Sequence, residues 1–204
     1  MHIMDILQNS TRAKATEITL EVLLDTEKDT LTLVFKDNGC GMSEETVQKV
    51  IDPFYTSRTT RKVGLGLPLL KQNSEMTGGS MSIQSQEGVG TTVTAIFGLT
   101  HLDTPPMGDL AGTVVLTISA YPDIRFIFHY KLDDEVDYTL DTKEVNEILD
   151  GLPINDPDVI ASLKEMVEEN IKQNHKKCIF ARFFEKKVSF ILIIRCFVKN
   201  YADN

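Results

Sequence analysis

Four short runs of alternating apolar and polar residues, arranged as two pairs, frame the first hundred residues. In Glu17–Leu24 and Thr30–Lys36 every second side chain is apolar, and the polar stretch Asp25–Asp29 joins them. Ser80–Gln86 and Thr91–Phe97 repeat the pattern around a glycine turn. A period of two sends successive side chains to opposite faces, so each run reads as a strand with one face to bury and each pair as a hairpin. Something must cover that face. Between the strands the period changes to that of a helix. Met1 to about Lys14 carries Ile3, Ile6, Leu7 and Ala13 near one side, while Asp5, Asn9 and Arg12 turn elsewhere. Ser43 before Glu44 and Glu45 reads as the N-cap of a short helix ending before Pro53, and a further helix opens after Gly66, takes Pro68 in its first turn and stops at Gly78–Gly79. Helices packed on a sheet of at least four strands are the expected result.

Pro105–Pro106 marks a change, giving an expected division into a domain over 1–100, a linker over 101–110 and a small appended α+β module over 111–175. Within that module Thr113–Ser119, Arg125–Tyr130 and Val136–Leu140 read as strands. Asp133–Asp134 is the turn before the last, and Asp133-Asp134-Glu135 reads as a hairpin tip rather than a metal site. Lys143–Leu149 and Pro157–Gln173 read as helices, the second capped by Asp156. From Lys176 the chain turns basic, aromatic and apolar, and 176–204 is expected to lie outside the fold. Its run Val188–Ile194 is too short to span a bilayer.

Of 204 residues, 42% are hydrophobic, enough for a full core. The formal net charge of -9 argues against a nucleic-acid partner, since a polyanion calls for a basic stripe and none occurs before residue 175. Cys40, Cys178 and Cys196 have neither zinc spacing nor the even count of a disulfide framework, and the four histidines show no ligand spacing. With no signal-peptide pattern at Met1–Asp5 and no apolar run of about 20 residues, a cytoplasmic protein without a transmembrane segment is expected.

The chemistry-bearing residues fall in three segments. Asp5 and Asn9, four apart, share one side of a helix: the asparagine can offer a neutral oxygen to a magnesium ion and the carboxylate can orient or deprotonate water, or the pair is simply a polar face. Asp37 closes a strand and precedes Asn38-Gly39-Cys40-Gly41. A carboxylate there can accept the exocyclic amine of adenine while the glycines let the backbone approach a flat ring, or the segment is a glycine turn closed by an Asx-type bond. Cys40 reads as a small filler. Gly64 and Gly66 in Val63–Leu67 open a helix whose N–H groups suit phosphate, and the cationic Arg58, Arg61 and Lys62 just before it form either a lid or solvated charge. Gly88-Val89-Gly90 reads as a hairpin turn, after which Thr91 or Thr92 can bond a phosphate.

Taken in order, these segments resemble the GHKL superfamily, the Bergerat-fold ATPases that include sensor histidine kinases, type II topoisomerases, heat-shock chaperones of the ninety-kilodalton class and mismatch-repair ATPases. The resemblance runs from Met1 to about Phe97. Asp5–Asn9 resembles the asparagine box, Asp37–Gly41 the first glycine box, Asp52-Pro53-Phe54-Tyr55-Thr56 the phenylalanine box and Val63–Leu67 the second glycine box. Gly78-Gly79 and Gly88-Val89-Gly90-Thr91 complete a run similar to histidine-kinase catalytic domains. The resemblance implies a two-layer α/β sandwich binding Mg-ATP under a lid. Asn9 would hold magnesium, Asp37 adenine, Gly39 and Gly41 the adenine wall, and Gly64, Leu65, Gly66 and Leu67 the phosphates, with Phe54, Lys62 and Thr91 at the nucleotide. Asp5 stands where the hydrolytic branches carry glutamate, and no helical hairpin with a phosphoacceptor histidine precedes the first box.

Two functions follow as expectations. One is a histidine-kinase-like module that transfers the γ-phosphate to a partner protein in trans. The other is an ATP-gated switch with slow hydrolysis. Either implies ATP, Mg2+ and an effector or phosphoacceptor protein, and a dimeric assembly is compatible with both.

Overall fold

The computed structural model describes residues 3–51 and 65–171. Residues 1–166 form one compact unit and residues 167–204 a second, and among the described residues every strand lies in the first.

The first unit begins with helix α1 (Ile3–Arg12), strands β1 (Glu17–Asp25) and β2 (Thr30–Asp37), and helices α2 (Glu44–Val50) and α3 (Gly66–Met76). It continues with β3 (Ser80–Gln86), β4 (Gly90–Gly98), helix α4 (Leu110–Ala120), β5 (Arg125–Leu132), β6 (Val136–Asp141) and α5 (Thr142–Leu149). Residues 157–166 are helical again, opened by Asp156, whose carboxylate accepts from Asp158 N at 2.9 Å.

The strands make one six-stranded sheet in the order β3-β4-β2-β1-β5-β6. All neighbours are antiparallel except β1 and β5, which run parallel. Alternation does what the sequence predicts. Ile18, Leu20 and Val22 of β1, Leu33 and Phe35 of β2 and Ala95 and Phe97 of β4 are buried on one face, joined by Phe126, Phe128 and Tyr130 of β5. Each such large side chain contributes about 2 kcal/mol by leaving water. The helical layer is α1, which contacts α3 and α4 and reaches β2, with α3 also on β3 and β4. The opposite face carries Thr19, Glu21, Thr32, Lys36 and Thr94 and is only partly covered. The first unit is a two-layer α/β sandwich.

Two expectations are corrected. Thr113–Ser119 is not a strand but most of α4. Asp109 caps that helix by accepting from Gly112 N at 2.8 Å, and its buried residues, Leu110, Ala111, Val114, Val115, Thr117 and Ile118, recur at helical spacing. The strands assigned to an appended module, β5 and β6, instead extend the sheet through β1. Other signals hold. Ser43 caps α2, accepting from Thr46 N at 3.3 Å. Gly78, at φ +77°, follows the end of α3, and Asp133, at φ +48°, forms the β5–β6 turn.

Candidate functional site: α1, the glycine turn and the start of α3

Helix α1 has two sides with different duties. Ile3, Ile6, Leu7 and Ser10 recur at spacings of three and four and are buried, which leaves Asp5 and Asn9 exposed a turn apart. Ser10 is the polar member of the buried stripe. Its hydroxyl donates to Asp37 Oδ2 at 2.7 Å, across 27 residues of sequence.

Asp37 ends β2 in register with Thr91 of β4. Its other oxygen, Oδ1, accepts from Gly39 N at 2.9 Å, which is the Asx-type bond that the sequence allows. The carboxylate is therefore held from two elements, each oxygen keeping a further lone pair. The turn beyond it is clamped on both sides. Cys40 N donates to Ala13 O at 2.9 Å and Gly88 N to Cys40 O at 2.8 Å, tying the turn to the end of α1 and to the β3–β4 hairpin.

The glycines are required by this closeness. A Cβ on Gly39 would stand 2.7 Å from Ala13 Cβ and from Ala13 O, and one on Gly41, at φ +66°, would stand 1.9 Å from Gln86 O. Cys40 is exposed, not the filler expected of it. Thr91 Oγ1 and Ser85 Oγ lie 2.8 Å apart, and Ser85 Oγ also accepts from Met42 N at 2.8 Å, so the hydroxyls on β3 and β4 continue the polar rim.

At the other end, α3 starts at Gly66, with Leu65 as an N-cap that supplies no side-chain acceptor to the first-turn amides. A Cβ on Gly66 would be 3.1 Å from Asp5 Cβ, so the electropositive start of α3 abuts α1 at the Asp5 turn. Leu65 is exposed and Leu67 half-buried. Phe54, Lys62 and Gly64 lie outside the described residues, as do Arg58, Arg61 and the phenylalanine box. Among the described residues no group of three His, Cys, Asp or Glu side chains forms a metal cage. Among the described residues no helix is long and apolar enough to cross a membrane.

The structure brings Asp37, Gly39, Gly41 and Thr91 together at one end of α1, and Asp5 and Gly66 at the other, with exposed Asn9 one turn from Asp5. Sequence reasoning missed Ser10, Ala13 and Ser85. Only Ser10 carried a signal, a hydroxyl at a position of the helix where the spacing calls for an apolar side chain.

Residues 2–101 match the family described as histidine kinase-, DNA gyrase B-, and HSP90-like ATPase. A sensor protein of Shewanella frigidimarina is 34% identical over 104 residues, which are 50% of this chain and 16% of that protein. Sensor histidine kinase YvrG of Bacillus subtilis is 30% identical over 97 residues, 46% of this chain and 17% of that one. The solved catalytic domain of the histidine kinase ThkA, in a nucleotide-free form, is 21% identical with a TM-score of 0.39, covering 48% of this chain and 64% of that one. The match takes in only a minor part of the length of the two sensor relatives. The matched segment contains α1, the Asp37–Gly41 turn, α3 and the β3–β4 hairpin, so residues 2–101 are a histidine-kinase-like ATPase domain of this family.

Proposed function

We propose that this domain binds Mg-ATP along α1 and transfers the γ-phosphate to a partner protein in trans, in the cytoplasm where ATP is supplied. The observation that carries the reading is the placement of two complementary ends on one helix: the Asp37 carboxylate with its glycine turn beside Ser10 and Ala13, and the start of α3 against Asp5. In this reading Asp37 accepts the exocyclic amine of adenine, Gly39 and Gly41 let the backbone flank the ring, and Thr91 lines the same end. Leu65, Gly66 and Leu67, continuing from Gly64, offer backbone N–H groups to the phosphates. Asn9 supplies the protein oxygen to magnesium, and the bound ion neutralises charge on the phosphate oxygens. Phosphoryl transfer passes through a loose transition state, so the protein's work is positioning and electrostatics rather than covalent chemistry. Phe54 and Lys62 belong to the stretch that would close over the nucleotide.

A second reading, an ATP-gated switch with slow hydrolysis, is favoured by one feature: the exposed Asp5 carboxylate sits at the phosphate end, where it can orient water. Aspartate reaches less far than glutamate, which makes it an inefficient base. The two separate on incubation of the full chain with γ-labelled ATP and lysate from its source cells. Transfer predicts label on a second protein, lost with Asp37→Asn; free phosphate with no labelled protein would leave only the switch.

A further inference from the structure

Four hydroxyls in other helical positions show what Ser10 does not do. Thr11 Oγ1 bonds Gln8 O, Ser74 Oγ bonds Lys71 O, Thr117 Oγ1 bonds Thr113 O and Ser162 Oγ bonds Asp158 O, each folding back on its own helix. Ser10, 4% exposed, instead sends its proton across to Asp37 Oδ2 at 2.7 Å. Alanine would suit the apolar stripe formed by Ile3, Ile6 and Leu7 at no polar cost, so the hydroxyl is there for its partner.

We infer that Ser10 is a positioning residue for base selection, orienting the Asp37 carboxylate so that it meets a purine bearing an amine rather than a carbonyl at its six position. The terminal torsion of an aspartate is broad and nearly two-fold, so one donor leaves the carboxylate plane free to turn. Two donors from different elements, Ser10 Oγ on α1 and Gly39 N in the glycine turn, hold both oxygens and aim their remaining lone pairs in fixed directions. The same side chain also keys the two ends of the site. With Ser10 turned to Asp37, the next residue back, Asn9, is carried to the exposed side of the helix, so the acceptor for the base and the oxygen for the metal are set by one helical turn.

The inference rests on the reading of the Asp37 end as the adenine end. Its test therefore uses inosine triphosphate, which replaces the amine by a carbonyl and leaves the sugar and phosphates unchanged. Titrating the full chain with Mg-ATP and with Mg-ITP measures the preference of the site directly. Wild type should prefer ATP, Ser10→Ala should bind ATP about tenfold more weakly while its ITP affinity stays within about twofold of wild type, and Ser10→Thr, which keeps the hydroxyl, should restore the preference. Because ITP binding reports an intact phosphate end, a folding defect shows as equal loss of both nucleotides, and that result overturns the role assigned to Ser10. An unchanged ATP-to-ITP ratio in Ser10→Ala overturns it too. Absence of any preference in wild type would instead refute the adenine assignment of Asp37 on which it stands.

Discussion

At the scale of single residues, the site is made by side chains too small to keep backbones apart. Gly41 and Gly78 both have positive φ, but they differ in surroundings: a Cβ on Gly41 would strike Gln86 O at 1.9 Å, whereas nothing lies within 4 Å of one on Gly78. Gly78→Ala should therefore cost only the left-handed backbone penalty, about 1–2 kcal/mol. Gly41→Ala must also push the glycine turn off the β3–β4 hairpin, and thermal denaturation should show a clearly larger loss. Equal losses would mean that the turn is not clamped as described. Asp37, Gly39 and Gly41 were readable from sequence because the residue types themselves announce a turn beside a carboxylate. The hydroxyl of Ser10 in an apolar stripe was visible, but its partner was not, since a serine in a helix ordinarily satisfies itself on its own backbone and only the fold brings Asp37 to it from 27 residues away. The exposure of Cys40 follows from the same clamp, which ties its backbone on both sides and turns its side chain outward.

At the scale of elements, caps and ion pairs decide where helices begin. Asp141, at the end of β6 and 9% exposed, accepts from Lys143 N at 2.9 Å and so opens α5. It also receives Arg125 through Nη2 at 2.6 Å and Nε at 3.1 Å, while Arg125 Nη1 reaches Glu17 Oε2 at 2.9 Å. The Arg125 guanidinium holds the Asp141 carboxyl below its ordinary value, and the Lys143 amide lowers it further. A folded value below the unfolded one means stability that is fully present above the unfolded carboxylate range, about pH 4, and is lost as pH falls through the folded value. Asp141→Ala should cost about 1–2 kcal/mol at neutral pH through the lost cap, and its acid denaturation curve should be flatter than that of wild type below about pH 4. Parallel curves would remove Asp141 from the account of acid sensitivity. The α4 error has a related cause. Val114, Val115 and Ile118 favour strands by composition, but the Asp109 cap and the need to cover α1 from its flank override that preference.

At the scale of the molecule, the sheet does not stop where the family match does. β5 lies parallel to β1 from Glu17↔Arg125 to Leu24↔Leu132, so the strand at the centre of the sheet depends on residues beyond 101. A fragment ending at residue 100 would leave β1 as a bare edge and remove Phe126, Phe128 and Tyr130 from the buried face. It should melt well below the full chain and aggregate on size exclusion, and a fragment that stays monomeric with the same melting temperature would show that β5 and β6 are dispensable. This dependence was hidden from sequence reading because the two prolines at 105 and 106 suggest a boundary while nothing local records that β5 returns to β1. The two-layer sandwich and the order of the site segments were readable, since alternation and glycine spacing are local. The central claim is that α1 and the Asp37 turn form one nucleotide site, and a calorimetric titration of the full chain with Mg-ATP tests it most directly. Wild type should bind one nucleotide, and Asn9→Ala and Asp37→Asn should each abolish the heat of binding; undiminished binding by either variant would contradict the assignment.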